Sequence, residues 1–519
     1  MGVGDIWWWR LFLLLSQTTH DLGSVNQRGF IRKMSIICIM LTKRTKIVCT
    51  IGPASESVET IVKMIKAGMN VARLNFSHGT YENHALLIKN IREAEKITGE
   101  PVAIMQDLQG PKIRVGILPR EGLELKVGEK KILDTSIFDY KDERIPVDYQ
   151  NLHKYLKKDE RILLDDGKME LRVLNVSGTK IETEVVVGGL LISHKGINVP
   201  DSDLEVKALT DKDREDVKFG VEHNVDLMAL SFVTDENDIF DLRFLIQECE
   251  KDLGHKVSQP IRLIAKIERK SAVKNIKEIL QATDGIMVAR GDLGIETPAK
   301  EVPLVQKNLI DLSLNENKPV IVATQMLDSM QNNPRPTRAE VSDVANAVID
   351  HADALMLSNE TATGKFPVET TQIMSDIITE TEKSVYDNLL VREYPKSKKK
   401  IDEVISRMSR LLAEETGAKL ILAASISGET ARHISRYRPE LPIVVATSTE
   451  RVKRQLNLVW GVMPFILEPC RSIEELIDRS MVDLKKRKII KTGDKIVIVA
   501  GEPVGQAGHV NLLEVREVV

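Results

Sequence analysis

The chain has 519 residues, of which 42% are hydrophobic and 29% are charged, an ordinary composition for a globular protein with room for three domains. The formal net charge is only −3 and the basic residues are interspersed with acidic ones, so the sequence gives no indication of a nucleic-acid partner. Four widely spaced cysteines disfavour a disulfide framework or a zinc site and fit a reducing, cytoplasmic compartment.

The first 40 residues differ from the rest of the chain. Their apolar run, residues 7–15, is interrupted by Arg10 and is too short to span a bilayer, so we expect no membrane association. Asp5 stands where a signal peptide carries positive charge. We therefore predict that residues 1–40 are a disordered or untranslated leader.

Eight short apolar runs, each followed by a polar cluster and a segment with helical periodicity, dominate the chain as far as residue 384. They occupy residues 45–52, 70–77, 102–109, 226–233, 261–268, 285–292, 319–326 and 354–360. Because the apolar residues are nearly continuous, the runs indicate parallel strands buried on both faces. Eight such units predict an α/β fold, a (β/α)₈ TIM barrel, over residues 41–110 and 200–384. The alternative, a doubly wound open sheet, is disfavoured because no break in strand order is visible.

Two further segments have other patterns. Between the third and fourth runs the residues alternate in polarity, with Asp-Asp-Gly and Gly-Gly turns, which predicts a small inserted β-barrel domain over residues 111–199. An insertion after a barrel strand lies over the C-terminal face and acts as a lid. A polar linker ending at residues 397–400 then leads into a second α/β pattern, which predicts a C-terminal regulatory-type domain over residues 385–519.

Polar or charged residues, together with one glycine, close most of the predicted barrel strands. They are Arg73, Asn75, Ser77, Asp107, Lys266, Glu268, Arg290, Gly291, Asp292, Thr324, Gln325, Ser358 and Glu360. Charges at the ends of apolar strands are costly to bury unpaired, and these ends meet at one mouth of a barrel. The pattern predicts a catalytic site there, with isolated structural ion pairs as the alternative.

The residue types indicate the chemistry of this site. Glu268 and Asp292 supply the hard oxygen ligands that Mg²⁺ prefers, with Mn²⁺ as an alternative ion. Lys266 and Arg73 add two cations, and a magnesium ion with lysine and arginine is the usual apparatus of phosphoryl transfer. An ion-pair network with Lys266 and Arg290 is the alternative to a metal site. The sequence contains no GxxxxGK[ST] motif, which excludes a P-loop kinase.

Six motifs that follow one another along the chain resemble the pyruvate kinase family. They are LNFSHG, KIE, MVARGDLGIE, ATQML, NPRPTRAEVSDVANAV and MLSNETATGKFP, and the resemblance extends from about Thr45 to the C-terminus. It implies transfer of a phosphoryl group from phosphoenolpyruvate to ADP, giving pyruvate and ATP, in a cytoplasmic homotetramer. It implies that Lys266 neutralises the phosphoryl group and the enolate, that Arg73 contacts the phosphoryl group, and that Glu268 and Asp292 bind the metal.

The same resemblance implies roles for further residues. The backbone of Gly291 and Asp292, together with Thr324, would hold the substrate carboxylate, and Thr324 with Ser358 behind it would relay a proton to enolpyruvate. The implied nucleotide contacts are Asn75, His78, Arg114 and Lys195.

The stretch around Lys112 bears on the need for a monovalent cation. Family members that require K⁺ bind it at positions matching Asn75, Ser77 and Asp107, and they carry Thr at the position of Leu108 and Glu at that of Lys112. Leu108, Gln109 and Lys112 together resemble the K⁺-independent branch of the family. We predict that the Lys112 ammonium replaces K⁺, with Asp107 as its partner.

The C-terminal domain of the family often binds a regulatory sugar phosphate. Its loop matches residues 425–430, where Ser425, Ser427 and Thr430 precede a helix and could form a phosphate nest. Ile426 and Glu429 stand where effector-binding members are often basic, and Glu429 would repel a phosphate. Fructose bisphosphate is therefore not expected, while a monophosphate effector and a loop without ligand both remain open.

Two other functions remain open on the predicted fold. A Mg²⁺-dependent enolpyruvate lyase or aldolase would need neither a nucleotide nor a lid, so dependence on ADP separates it from a kinase. A non-catalytic binding descendant is disfavoured by the complete set of Lys266, Glu268, Asp292 and Thr324.

Overall fold

The computed structural model describes residues 43–202, 204, 207–254, 259–389, 400–501 and 510–519. The predicted leader, residues 1–40, and residues 397–399 of the predicted linker lie outside these ranges. The chain begins its first domain with three parallel strands and two helices. They are β1 (Lys46–Thr50), α1 (Val58–Ala67), β2 (Val71–Asn75), α2 (Tyr81–Thr98) and β3 (Ala103–Asp107). Ser57 caps α1 by accepting a hydrogen bond from the Thr60 N–H, and Gly68 ends the helix at φ 115°.

The lid domain follows β3 and contains only strands and one short 3₁₀ helix, Leu152–Lys154. Its strands are β4 (Leu123–Leu125), β5 (Lys130–Asp134), β6 (Arg144–Pro146), β7 (Arg161–Leu164), β8 (Met169–Ser177), β9 (Lys180–Val187), β10 (Gly189–Leu191) and β11 (Ile197–Asn198). They form a two-stranded sheet, β10-β4, and a six-stranded sheet of order β11-β7-β8-β9-β5-β6. The alternating side chains of these strands enclose a hydrophobic core that contains no residue of the barrel strands.

The chain then returns to the barrel for its remaining five strands. The elements are α3 (Asp211–Glu222), β12 (Leu227–Leu230), α4 (Glu236–Asp252), β13 (Arg262–Ile267), α5 (Lys270–Lys274), α6 (Ile276–Ala282), β14 (Gly285–Ala289), α7 (Arg290–Glu296), α8 (Val302–Asn315), β15 (Val320–Ala323), α9 (Arg338–Ile349), β16 (Ala354–Leu357), α10 (Asn359–Ala362) and α11 (Pro367–Thr381), with 3₁₀ turns at Asp328–Gln331 and Val385–Asp387. Thr210, the expected N-cap of α3, forms a reciprocal capping box with Asp213.

The eight parallel strands close into a barrel of order β1-β16-β15-β14-β13-β12-β3-β2. The predicted TIM barrel is confirmed, and the open doubly wound sheet is wrong because β1 pairs with both β2 and β16. Each strand is shorter than the apolar run that predicted it. The last residues of the runs therefore lie beyond the strands, at the mouth on the side of the lid.

The C-terminal domain is a five-stranded sheet with helices. Its elements are α12 (Ile401–Thr416), β17 (Leu420–Ala424), α13 (Glu429–Ser435), β18 (Ile443–Thr447), α14 (Glu450–Gln455), a 3₁₀ turn (Leu456–Leu458), β19 (Val462–Ile466), α15 (Ile473–Lys486), β20 (Lys495–Ala500) and β21 (Leu512–Glu517). The strand order is β19-β18-β17-β20-β21, and only the pairing of β20 with β21 is antiparallel.

The C-terminal domain packs against the barrel through buried polar contacts. The guanidinium of Arg438 lies 2.9 Å from Asp353, and the same carboxylate accepts the Trp460 N–H at 3.1 Å. A buried charge needs a partner, and Asp353 receives two donors from across the boundary. Within the described residues, we find no helix with the length and apolar character needed to cross a membrane.

Candidate active site

A buried lysine occupies the centre of the barrel mouth. Lys266, near the end of β13, places its Nζ 2.9 Å from Glu268 Oε1 and 3.2 Å from Asp107 Oδ1, and it donates to Ser231 Oγ at 2.7 Å. Burial alone would lower the pKa of this ammonium, but the carboxylates of Asp107 and Glu268 outweigh it and raise the pKa above its usual value. Lys266 is therefore a permanent positive charge.

A second cation lies beside it. Arg73, on β2, donates from Nε to Asp107 Oδ2 at 2.6 Å and from Nη1 to Thr50 Oγ1 at 2.9 Å. Burial would raise the pKa of Asp107, yet the adjacent Lys266 and Arg73 together hold it below its usual value. Asp107 is thus an ionised carboxylate that orients both cations at the mouth.

Two carboxylates at this mouth have the chemistry of a magnesium site. Glu268 is only 2% exposed and accepts the Phe232 N–H at 2.7 Å. Its pKa is raised, first by burial and then by the nearby negative charge of Asp292, although Lys266 opposes both. A divalent cation between Glu268 and Asp292 would relieve this repulsion.

The number of protein ligands also fits Mg²⁺. Among the residues that the structure describes, no group of three or more His, Cys, Asp or Glu side chains is placed to hold a metal ion. Mg²⁺ commonly takes one or two carboxylates and fills its other positions with water and substrate oxygens. The pair of Glu268 and Asp292 matches this arrangement.

The loop after β15 is strained at its first two residues. Thr324 has φ 75° and Gln325 has φ 53°, in the left-handed region that a β-branched residue such as threonine rarely adopts. The Thr324 hydroxyl accepts the Gly291 N–H at 2.8 Å, and Arg290 donates to the Thr324 carbonyl at 2.8 Å. Such strain persists where surrounding contacts enforce it, and it clusters at functional sites.

The remaining barrel residues predicted for the site lie at strand ends. Asn75 Oδ1 accepts the Ser77 N–H at 3.2 Å, and the His78 N–H donates to the Asn75 carbonyl at 3.3 Å, so these three residues share one turn after β2. Ser358 directly follows β16, the neighbour of β15, and its N–H donates to buried Glu360 at 2.7 Å. The turn after β2 and the start of the β16 loop therefore flank the Lys266 cluster.

The two predicted nucleotide contacts of the lid are held within the lid. Arg114 donates from Nη1 to the His194 carbonyl at 3.1 Å. Lys195 Nζ lies 2.7 Å from Asp165 Oδ1. The structure thus assembles the barrel residues with one another and the lid residues with one another.

The predicted pairing of Lys112 with Asp107 is wrong. The Asp107 carboxylate forms ion pairs with Arg73 and Lys266. Lys112 Nζ instead lies 3.6 Å from Asp166 in the lid. The reason is the backbone at Gly110, which has φ 67° and leaves room for no side chain against Ser231, so that the chain turns away after Leu108.

The predicted effector loop lines a cavity of about 400 Å³ in the C-terminal domain. Ser425, Ser427 and Thr430 all face it. Three carboxylates, those of Asp402, Glu429 and Glu468, also line the cavity, and its described lining includes no lysine or arginine. A hydrogen bond with His433 lowers the pKa of Glu429 to about 2, so this carboxylate is negatively charged at neutral pH.

Sequence reasoning missed three contributors to the site. Thr50 is the last residue of β1 and Ser231 directly follows β12, and they contact Arg73 and Lys266, so a search for polar residues at the strand ends would have found them. Phe232, at φ 57°, presents its N–H to Glu268, a backbone role that no residue pattern signals.

Together, the barrel, its lid and the charged mouth define an α/β-barrel enzyme. Residues 42–371 match the model of the pyruvate kinase barrel domain, and residues 403–516 match that of the pyruvate kinase alpha/beta domain. The chain is 44% identical over 479 residues to pyruvate kinase of Geobacillus stearothermophilus, and the matched region spans 92% of this chain and 80% of that protein. It is 43% identical over 479 residues to pyruvate kinase of Thermotoga maritima, and the matched region spans 92% of this chain and all of that protein.

The chain belongs to the pyruvate kinase family. The resemblance predicted from its motifs is confirmed, and with it the assignment to the phosphotransferases. Family membership removes the support for a lyase or aldolase.

Proposed function

We propose that the chain transfers the phosphoryl group of phosphoenolpyruvate to ADP, giving pyruvate and ATP, in the final step of glycolysis. The observation that carries the proposal is the Lys266 ammonium, fixed between Asp107 and Glu268 with Arg73 on the same carboxylate. Phosphoryl transfer is catalysed mainly by positioning and charge stabilisation, which two preorganised cations provide.

In this reaction the bond between phosphorus and the enol oxygen breaks, and its electron pair stays on that oxygen as an enolate. A terminal oxygen of ADP forms the new bond to phosphorus. Lys266 and Arg73 offset the charge that spreads over the phosphoryl oxygens, and Lys266 also stabilises the enolate. Their shared contact with Asp107 keeps both cations in place before the substrate arrives.

Glu268 and Asp292 would hold Mg²⁺, or Mn²⁺, which supplies Lewis-acid stabilisation of substrate oxygens when bound. The raised pKa of Glu268 beside Asp292 supports this assignment. The backbone N–H groups of Gly291 and Asp292, with the Thr324 hydroxyl, would bind the substrate carboxylate, for which the Gly291 N–H exchanges the Thr324 hydroxyl for a carboxylate oxygen.

The enolate must then gain a proton at carbon. Thr324 is the proposed donor, with Ser358 on the neighbouring strand end behind it. The Thr324 hydroxyl accepts the Gly291 N–H, donates to the Ala323 carbonyl at 2.6 Å and lies on a backbone held at positive φ, which supports a role that needs a fixed hydroxyl position.

The nucleotide would bind between the two assembled groups. Asn75 and His78 belong to the barrel, while Arg114 and Lys195 belong to the lid. A nucleotide that contacts all four would bind lid and barrel at once and would help to exclude water from the transferring group.

We propose that the reaction does not require K⁺. Leu108 is 1% exposed with its side chain in the hydrophobic core, and its carbonyl accepts the Ser231 hydroxyl at 2.7 Å. The Asp107 carboxylate already has two cations, and Asn75 Oδ1 accepts the Ser77 N–H. The groups that would bind a monovalent cation thus have other partners.

We further propose a cytoplasmic homotetramer that sugar bisphosphates do not regulate. The carboxylates of Asp402, Glu429 and Glu468 around the effector-loop cavity would repel phosphate groups, which supports the proposal that sugar bisphosphates do not regulate the chain. A rate that responds to fructose bisphosphate would contradict it, and sedimentation analysis measures the oligomer.

The experiment is pyruvate formation from phosphoenolpyruvate and ADP, with Mg²⁺, in K⁺-free buffer. Full activity that KCl does not increase supports both the reaction and the K⁺ proposal. Activity only with KCl contradicts the K⁺ proposal alone. Pyruvate formation without ADP would favour a lyase, and an absence of turnover under every condition would favour a non-catalytic descendant.

A further inference from the structure

The lid is attached to the barrel by two neighbouring segments. We call residues 108–116 the outgoing strap and residues 192–199 the returning strap. They run antiparallel: the Val115 N–H donates to the Lys195 carbonyl at 2.8 Å, and the His194 N–H donates to the Val115 carbonyl at 3.0 Å. Each strap carries one lysine, Lys112 or Lys195, so the two ammonium groups move with the same piece of backbone.

Both ammonium groups face one tight turn in the body of the lid. Lys195 Nζ lies 2.7 Å from Asp165 Oδ1, and Lys112 Nζ lies 3.6 Å from Asp166 Oδ1. Asp165 and Asp166 have φ 49° and 55°, and Gly167 follows at 84°, so three successive left-handed residues present the two carboxylates side by side. We call Asp165, Asp166 and Gly167 the carboxylate turn.

The carboxylate turn is joined to the returning strap by its backbone as well. The Asp165 N–H donates to the Gly196 carbonyl at 3.1 Å. Lys168 provides a second ammonium to Asp165 at 3.0 Å, and hydrogen bonding to Lys195 is the largest influence that lowers the pKa of Asp165. The Asp165 carboxylate is therefore charged at neutral pH and has two cationic partners.

We infer that Asp165 and Asp166 compete with the phosphates of the nucleotide for Lys195 and Lys112, and so weaken nucleotide binding. The inference rests on the proposed function, in which Lys195 contacts the nucleotide. The Asp165 carboxylate, 2.7 Å from the Lys195 ammonium, offsets its charge and repels an incoming phosphate, so the phosphate gains less from Lys195 than it would from an ammonium without this partner. Lys195 retains 34% side-chain exposure and Lys112 28%, so phosphate can reach both.

The test is the Kd for ADP, measured by titration calorimetry, in Asp165→Asn. Asparagine tolerates positive φ and has the same size, so this variant removes charge without disturbing the turn. Exposed ion pairs are weak, so we expect the Kd to fall about twofold to fivefold. Asp166→Asn should act in the same direction but less strongly, because its contact is longer and its carboxylate is 61% exposed.

The matched control is Asp142→Asn. Asp142 is also in the lid at positive φ, 51°, and is paired with Arg144 at 2.7 Å, and none of its described contacts involves Lys112 or Lys195. We expect an unchanged Kd for ADP. In all three variants kcat and the KM for phosphoenolpyruvate should stay at wild-type values, since the barrel mouth is untouched.

Ionic strength provides a second readout. Competition between exposed charges is screened by salt, so the Kd ratio of wild type to Asp165→Asn should shrink between about 0.02 M and about 0.3 M NaCl. An unchanged or raised Kd in Asp165→Asn overturns the inference, since a raised Kd means that Asp165 positions Lys195 for the nucleotide. A wild-type chain that binds no ADP overturns it as well. Failure of the proposed function is seen separately, as binding of ADP without pyruvate formation.

Discussion

Replacement of Lys266 by methionine tests the charge at the barrel mouth most directly. The side chain keeps its length and loses its ammonium, so the carboxylates of Asp107 and Glu268 lose a partner at 3.2 and 2.9 Å. At an effective dielectric constant of about 20 each contact is worth about 5–6 kcal/mol before desolvation is subtracted. Arg73 remains on Asp107 and the Phe232 N–H remains on Glu268. We therefore expect a loss of about 3–5 kcal/mol in the free energy of unfolding, typical of a broken buried pair.

The effect on catalysis should exceed the effect on structure. One preorganised charge at the transition state is typically worth about 3–4 kcal/mol, so kcat should fall by about 10²–10³-fold or more. The stability loss should be larger near pH 8 than near pH 5. Glu268 has a raised pKa in the folded state, and without Lys266 the folded chain takes up this proton more readily at low pH, which recovers part of the lost stability.

The matched control is Lys212→Met. Lys212 Nζ lies 2.6 Å from buried Asp216 and 2.8 Å from the Phe76 carbonyl, on helix α3 rather than in the Lys266 cluster. Pyruvate formation under saturating substrate and urea unfolding at both pH values are measured for the two variants. An Lys266→Met variant with wild-type kcat, or one that loses no more activity than Lys212→Met, would refute the assignment of Lys266.

Three further outcomes are expected. Lys112→Glu should leave turnover at saturating ADP independent of KCl at constant ionic strength, because Lys112 pairs with Asp166 in the lid and not with Asp107; a new requirement for KCl would contradict this. Asp292→Asn should raise the Mg²⁺ concentration for half-maximal rate at least about tenfold, because a neutral amide is a weaker ligand beside Glu268; an unchanged requirement would exclude Asp292 as a ligand. Burial raises the pKa of Asp387 to about 7; Arg44 opposes this shift and nearby carboxylates add to it. Because the folded chain then holds a proton that the unfolded chain has lost, the free energy of unfolding of the wild type should fall as pH rises from about 4 through 7. Asp387→Asn should lack that decline, and its free energy of unfolding near pH 8 should be about 2–4 kcal/mol higher than that of the wild type. Urea unfolding measures both chains across this pH range, and an equal dependence of stability on pH in the two would contradict the expectation.

The barrel could be predicted from the sequence because its strands are buried on both faces. Continuous apolar runs give a strong signal, and the polar residues that end them identify the mouth. Two strands of the C-terminal sheet, β19 and β21, have weaker signals. β19 contains Pro464, which is tolerated because this is an edge strand, and half of the six residues of β21 are charged.

Side-chain partners across the mouth were less predictable. Asp107 and Lys112 are close in sequence, yet the turn at Gly110 separates their side chains. The Asp107 carboxylate instead pairs with Arg73 and Lys266, which lie on other strands. The backbone strain at Thr324 cannot be recognised in the sequence, because it depends on contacts with Arg290 and Gly291 at the start of α7. The direction that the chain takes after a turn, and the backbone conformation of a single residue, depend on tertiary contacts. Residue patterns along the sequence do not encode these contacts.

The separate hydrophobic core of the lid has a consequence for heat inactivation. Its apolar residues pack among themselves, so we expect the lid to open cooperatively on its own, with a free energy below that of unfolding the whole chain. On heating, turnover should disappear first and return on cooling, over a temperature range in which the barrel helices are still intact. The loss of activity and the loss of helical circular dichroism would then define two separate midpoints, and a cavity made by Leu171→Ala inside the lid core would lower only the first.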